Sequence, residues 1–113
     1  MARVLDLNEV QSSFMDVTLR DEARTVVHLD LPTEGLVSEL QNMQTDLEKM
    51  KTGDQPAIMA IYDLMAKLIN CNLDYFKTTG EELQKKYGMN LVVTLTFFNA
   101  YMGNITELSN QKN

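Results

Sequence analysis

The chain has 113 residues, a hydrophobic fraction of 44 % and a formal net charge of −6. That length suits one domain with a core that needs no staples, and the apolar fraction argues against a disordered chain. An acidic surface repels phosphate, which disfavours nucleic acid and anionic membranes as partners and leaves basic proteins or plain solubility.

Cys71 is the only cysteine. An internal disulfide is therefore impossible, and the expected setting is a reducing cytoplasm. Residues 1–13 contain acidic side chains and lack the apolar run of a secretory signal. No stretch approaches the roughly 20 apolar residues of a membrane span, since Met89 to Met102 is interrupted by Asn90, Thr94, Thr96 and Asn99.

Residues 1–13 are expected to form a flexible arm, with Val4, Leu5, Leu7 and Val10 open to either a short strand or a helical turn. Met15, Val17 and Leu19 then alternate with polar residues, and Val27, Leu29 and Leu31 do the same, which predicts strands over 14–20 and 25–31. Placing the odd-numbered apolar residues on one face requires paired positions to sum to an even number. Leu19 opposite Val27 leaves the loop Glu22-Ala23-Arg24 and sets Asp16 against Asp30, a mildly unfavourable pair.

Pro32 ends the second strand and Thr33 is a good N-cap. One helix is predicted from about 34 to 51, stopping before Gly53, with Leu36, Leu40, Met43, Leu47 and Met50 as a narrow seam. Asp54 and Pro56 start a second helix. Its broad face of Ile58, Ile61, Tyr62, Met65, Leu68 and Ile69, flanked by Leu64, marks it as central before it fades at Asn70-Cys71-Asn72. Thr79 and Glu82 have capping-box spacing and open a short helix closed by Lys85, Lys86 and Gly88. Asn90 caps the last helix, with a predicted face of Leu91, Leu95, Phe98, Met102 and Ile105. The expected architecture is α+β: an N-terminal antiparallel hairpin and about four helices in a single domain over 14–108, with a polar tail at 109–113.

No constellation suits catalysis. His28 is the single histidine and has no nearby Ser, Cys or second His with which to complete a triad or a zinc site. Cys71 falls near a predicted helix C-terminus, the wrong end of the dipole for an activated thiolate. The carboxylates at Asp21-Glu22, Asp46 with Glu48, and Glu81-Glu82 lack calcium-loop spacing, and the five glycines are scattered. Neither a metal, a cofactor nor an enzymatic activity is expected.

Methionine is the less ordinary signal, with eight in the chain. Met43, Met50, Met65 and Met102 fall on predicted apolar faces. They either fill the core or line a groove for another protein's apolar segment. The seam of Leu36, Leu40, Met43, Leu47 and Met50 is the candidate protein-binding surface. Thr96, Ala100 and Gly103 form a small-residue strip where another backbone can approach closely, in this subunit or a second copy, unless the helix simply bends or ends there.

The chain resembles the tail assembly chaperones of long-tailed bacteriophages and prophages of Gram-positive bacteria. The likeness covers roughly residues 14–108: the strand pair ending in Leu31-Pro32-Thr33, G-L-V-S-E-L from Gly35, and I-Y-D-L-M-A-K-L-I from Ile61. T-T-G-E-E-L from Thr78 and L-V-V-T-L-T-F-F-N-A-Y from Leu91 complete it. The resemblance implies a cytoplasmic, non-enzymatic factor that coats the long apolar tape measure protein, helps recruit tail tube subunits and self-associates. It also implies a longer frameshifted product, with which Gln111-Lys112-Asn113 is compatible if encoded by a run of adenines. Two other classes fit the residues alone: a structural virion accessory protein, or a small acidic inhibitor of a nucleic-acid enzyme.

Overall fold

The structure, a computed structural model, describes residues 14–110, and side chains through Glu107. Expectations for residues 1–13 and 111–113 lie outside the described residues. Two antiparallel strands, β1 (Met15–Thr18) and β2 (Val26–Leu29), precede five helices. These are α1 (Glu34–Asn42), α2 (Gln44–Lys51), α3 (Gln55–Asn70), α4 (Gly80–Lys85) and α5 (Leu91–Asn110). The fold is α+β, a hairpin followed by helices. Helix α5 runs past the predicted domain boundary at 108.

The parity argument holds but the register differs by two. Met15 pairs with Leu29 and Val17 with Val27, so Asp16 faces His28 rather than Asp30. The cause lies in the turn. The Asp21 carboxylate accepts from Thr25 N–H at 2.9 Å and from its hydroxyl at 2.7 Å, while Arg24 takes a left-handed φ of 50°. That clasp lengthens the loop to residues 20–24, closed by Leu19 N–H on Thr25 O. A like-charge pair is thereby avoided.

The single helix predicted over 34–51 is two helices. Met43 N–H reaches Leu40 O at 3.3 Å, a tight i→i−3 turn, before Leu47 N–H bonds to Met43 O and α2 continues. Asn42 and Thr45 flank the break, and both are weak helix-interior residues. The predicted caps form elsewhere: Thr33 Oγ1 accepts from Leu36 N–H, Thr79 Oγ1 from Glu82 N–H, and Asn90 Oδ1 from Val93 N–H. Gly53 and Gly88 take the left-handed φ values of 85° and 58° that end α2 and follow α4.

Helix α3 is central and packs against α1, α2, α4, α5 and β2. Ile61, Tyr62, Leu64, Met65, Leu68 and Ile69 are buried, as are Leu19, Val27 and Leu29 from the hairpin side. Ile58, expected on the same face, is only half-buried. The predicted face of α5 is rotated. Thr94, Phe97, Phe98 and Tyr101 are buried, whereas Leu91 is exposed and Leu95, Met102 and Ile105 are half-buried. Three aromatic rings, each hiding roughly 150–250 Å2, outweigh the aliphatic stripe.

Candidate protein-binding surface

The seam nominated from the sequence faces inward. Leu40, Met43 and Met50 are buried, and Leu36 and Leu47 pack partly buried against the same core cluster. Lys67 of α3 holds Glu39 of α1 at 3.0 Å across this contact. The seam mostly fills the core under α1 and α2, the other role open to it.

The small-residue strip is placed differently. Thr96, Ala100 and Gly103 are all exposed, and a Cβ built on Gly103 would meet nothing within 4 Å. Among the described residues no backbone comes that close to Gly103. Thr96 and Ala100 instead form part of a wall.

That wall bounds a groove of about 250 Å3 between β1 and α5. Strand β1 contributes Met15 and Val17, while α5 contributes Val93, Thr96, Phe97 and Ala100. The buried Met65 and Met89 complete the lining, and Asp16, Thr18 and Arg20 lie on it as the polar part. Odd-numbered β1 residues face inward and the even ones outward, so the pleat itself makes one side of the groove apolar. Three methionines line it. Of the three, only Met65 is among the methionines that the sequence leaves open between core and groove, and none belongs to the nominated seam; Met15 and Met89 lie outside the helices. Two other grooves, beside Met43 (about 210 Å3, with Glu39 and Asp46) and beside Met50 (about 270 Å3, with Gln55 and Gln84), are more polar.

The hairpin side of the groove is fixed from behind. Leu73 N–H bonds to His28 O, and Asp30 N–H bonds to Cys71 O, both at 2.8 Å. The Asp74 carboxylate accepts from His28 N–H at 2.6 Å and lies 3.0 Å from His28 Nδ1. His28 is thus paired at the strand edge. Its hydrogen bonds hold the Asp74 carboxyl below the usual carboxylate range, the backbone N–H contributing most. Arg20 Nη1 donates to Gly88 O, tying the turn to the segment that leads into α5.

Asn72 organises the loop after α3. Its amide donates to Ile69 O and Phe76 O and its carbonyl accepts from Asp74 and Phe76 N–H. Within this scaffold Tyr75 is 97 % exposed at a φ of 60°. A bulky residue held there costs of order 1–3 kcal/mol, and nothing in the sequence pattern signalled it. Cys71 is half-buried with Sγ on Leu31 O at 3.3 Å, and burial pushes its thiol up, away from nucleophilic use.

Among the described residues no group of three or more His, Cys, Asp and Glu side chains is placed to hold a metal ion. No helix among them is long and apolar enough to cross a membrane. Compared with known proteins, the chain matches no family model, no curated protein and no solved structure.

Proposed function

We propose that the protein is a non-enzymatic assembly chaperone acting in the host cell cytoplasm, shielding apolar segments of another protein. By the resemblance, the client is a tape measure protein and the recruited subunits are those of the tail tube. The observation that carries this reading is the β1–α5 groove. It places three methionines, Val17, Val93 and Phe97 around an opening to solvent on a chain of net charge −6. Methionine adapts its shape to varied apolar side chains, and the acidic body keeps a loaded complex from aggregating.

The test is co-expression with a tape measure protein from a long-tailed phage, using wild type and a Thr96→Glu/Ala100→Glu variant. Both positions are exposed on α5, so the variant keeps its helical circular dichroism. The client is expected in the soluble fraction with wild type and in the pellet with the variant. A client that stays soluble with both, or precipitates with both, removes the groove from the mechanism.

A further inference from the structure

Strand β1 and helix α5 run side by side in opposite directions. The Phe14 ring packs on Tyr101 at a centroid distance of 5.1 Å, and Arg20 Nη1 donates to Gly88 O. Residues from both faces of β1, Met15 through Thr18, line the groove between the two elements. The groove therefore meets the strand along its edge.

The hydrogen bonds identify that edge. Leu19 N–H bonds to Thr25 O, so the odd-numbered β1 residues turn their backbone groups toward β2. On β2, Asp30 N–H bonds to Cys71 O and His28 O accepts from Leu73 N–H, so its far edge already has a neighbour. Alternation then aims the backbone groups of Asp16 and Thr18 at the groove.

We propose that residues 4–10 of this chain lie in the groove as a further antiparallel strand on β1, with Leu5 and Leu7 filling its apolar side. The segment joins β1 at Phe14, where the groove begins, and Gln11-Ser12-Ser13 supplies a polar three-residue reversal. That reversal sets Val10 opposite Phe14, Leu7 opposite Val17 and Leu5 opposite Leu19. Both leucines thus share the inward face of β1 and lie toward Val93 and Phe97. On the outward face Asn8 falls opposite Asp16, and Asp6 falls opposite Thr18, diagonal to Arg20. Charge selects this register, because a shift of two residues would set Asp6 against Asp16. Length agrees as well: residues 4–10 extend over about 20 Å and Met15 to Arg20 over about 17 Å. If the chaperone reading holds, a client entering the groove competes with this segment; the docking itself does not rest on that reading.

Nuclear magnetic resonance on the full-length protein tests this. Amides of Asp6 and Asn8 are expected to exchange at least about tenfold more slowly than in an unfolded chain. The Leu5 and Leu7 methyl groups are expected to give nuclear Overhauser contacts with Val93 and the Phe97 ring. Leu5→Ser with Leu7→Ser should return both amides to unfolded rates while residues 61–69 stay protected. Unfolded exchange rates at Asp6 and Asn8 in the wild type would overturn the proposal. So would protection that survives the double substitution, or contacts seen only between differently labelled copies, which would mean that the segment is exchanged between subunits. Should the double variant not fold, the wild-type rates and contacts decide alone. No client is present in the sample, so failure of this docking and failure of the chaperone reading are separately visible.

Discussion

Replacing either of two glycines by alanine should move stability in opposite directions. Gly80 is the first residue of α4 and is buried against α3. A Cβ there would sit 2.4 Å from Asp63 Oδ1, 3.0 Å from Asp63 N and 3.1 Å from the Tyr62 carbonyl carbon. The carboxylate can swing aside, but the two backbone atoms cannot, so α4 must back away from α3 by a few tenths of an ångström. Forced overpacking costs about 1–3 kcal/mol, and alanine returns at most about 1 kcal/mol of helix propensity. With the full propensity gain, Gly80→Ala still loses up to about 2 kcal/mol. In urea, with a slope of about 2 kcal/mol/M, the midpoint falls by up to roughly 1 M at unchanged slope. Gly103 lies in α5 with open space around its missing side chain. Gly103→Ala therefore carries the propensity gain without a clash and raises stability by up to about 1 kcal/mol. A stabilising Gly80→Ala would refute the seating of α4 on α3. If copies associate through the Thr96-Ala100-Gly103 strip, Gly103→Ala will raise monomer stability and weaken the dimer, which sedimentation at two concentrations distinguishes.

Met43→Lys with Met50→Lys places two charges in the core beneath α1 and α2, so a loss of about 3 kcal/mol or more is expected. A parental melting curve would mean that the seam is not sealed. The Asp21 and Asp74 carboxyls are both held below their ordinary value of 3.8, Asp21 chiefly by the Thr25 hydroxyl and Asp74 chiefly by His28 N–H. A depressed carboxyl stabilises the fold above its unfolded pKa, and that contribution disappears as pH falls through the folded value. Hairpin stability should thus decline below about pH 4, with a shallower slope in Asp21→Asn/Asp74→Asn. Urea midpoints measured from about pH 6 to about pH 2.5 check it, and identical acid slopes in parent and variant would contradict the assignment.

Local punctuation was legible in the sequence. Thr33, Thr79 and Asn90 cap as read, Pro56 opens α3, Gly53 ends α2, and Leu19, Val27 and Leu29 face the core, whereas Leu31, expected on the same face, lies beyond the end of β2 and is 53 % exposed. These features depend on a residue and its near neighbours. The misreadings arose where side chains distant from the pattern decided the outcome. The Asp21 clasp on Thr25 moved the register, although an Asp four residues before a Thr is visible once the turn is examined for side-chain acceptors. Helix α5 is apolar around most of its circumference, so two stripes compete, and periodicity cannot choose between Leu91-Leu95-Met102 and Phe97-Tyr101. Ring area chose. The groove was hidden because its methionines come from a strand, a loop and the central helix, a combination no single period displays.

This relocation changes where spare apolar surface lies. The seam on α1 and α2 had the regularity of a partner face, but a seam of that width is also what a helix needs to cover the broad face of α3. Helix α5 has more apolar residues than one contact can use: Phe97, Phe98 and Tyr101 turn inward while Leu91 and Val92 stay in water. A helix that was only core would gain by polar substitution at Val92. A helix that was only a partner face would not bury two aromatic rings and a tyrosine. Helix α5 carries both characters: its aromatic side closes the core with two hydroxyls unpaired among the described residues, and its opposite side leaves Val92 72 % exposed.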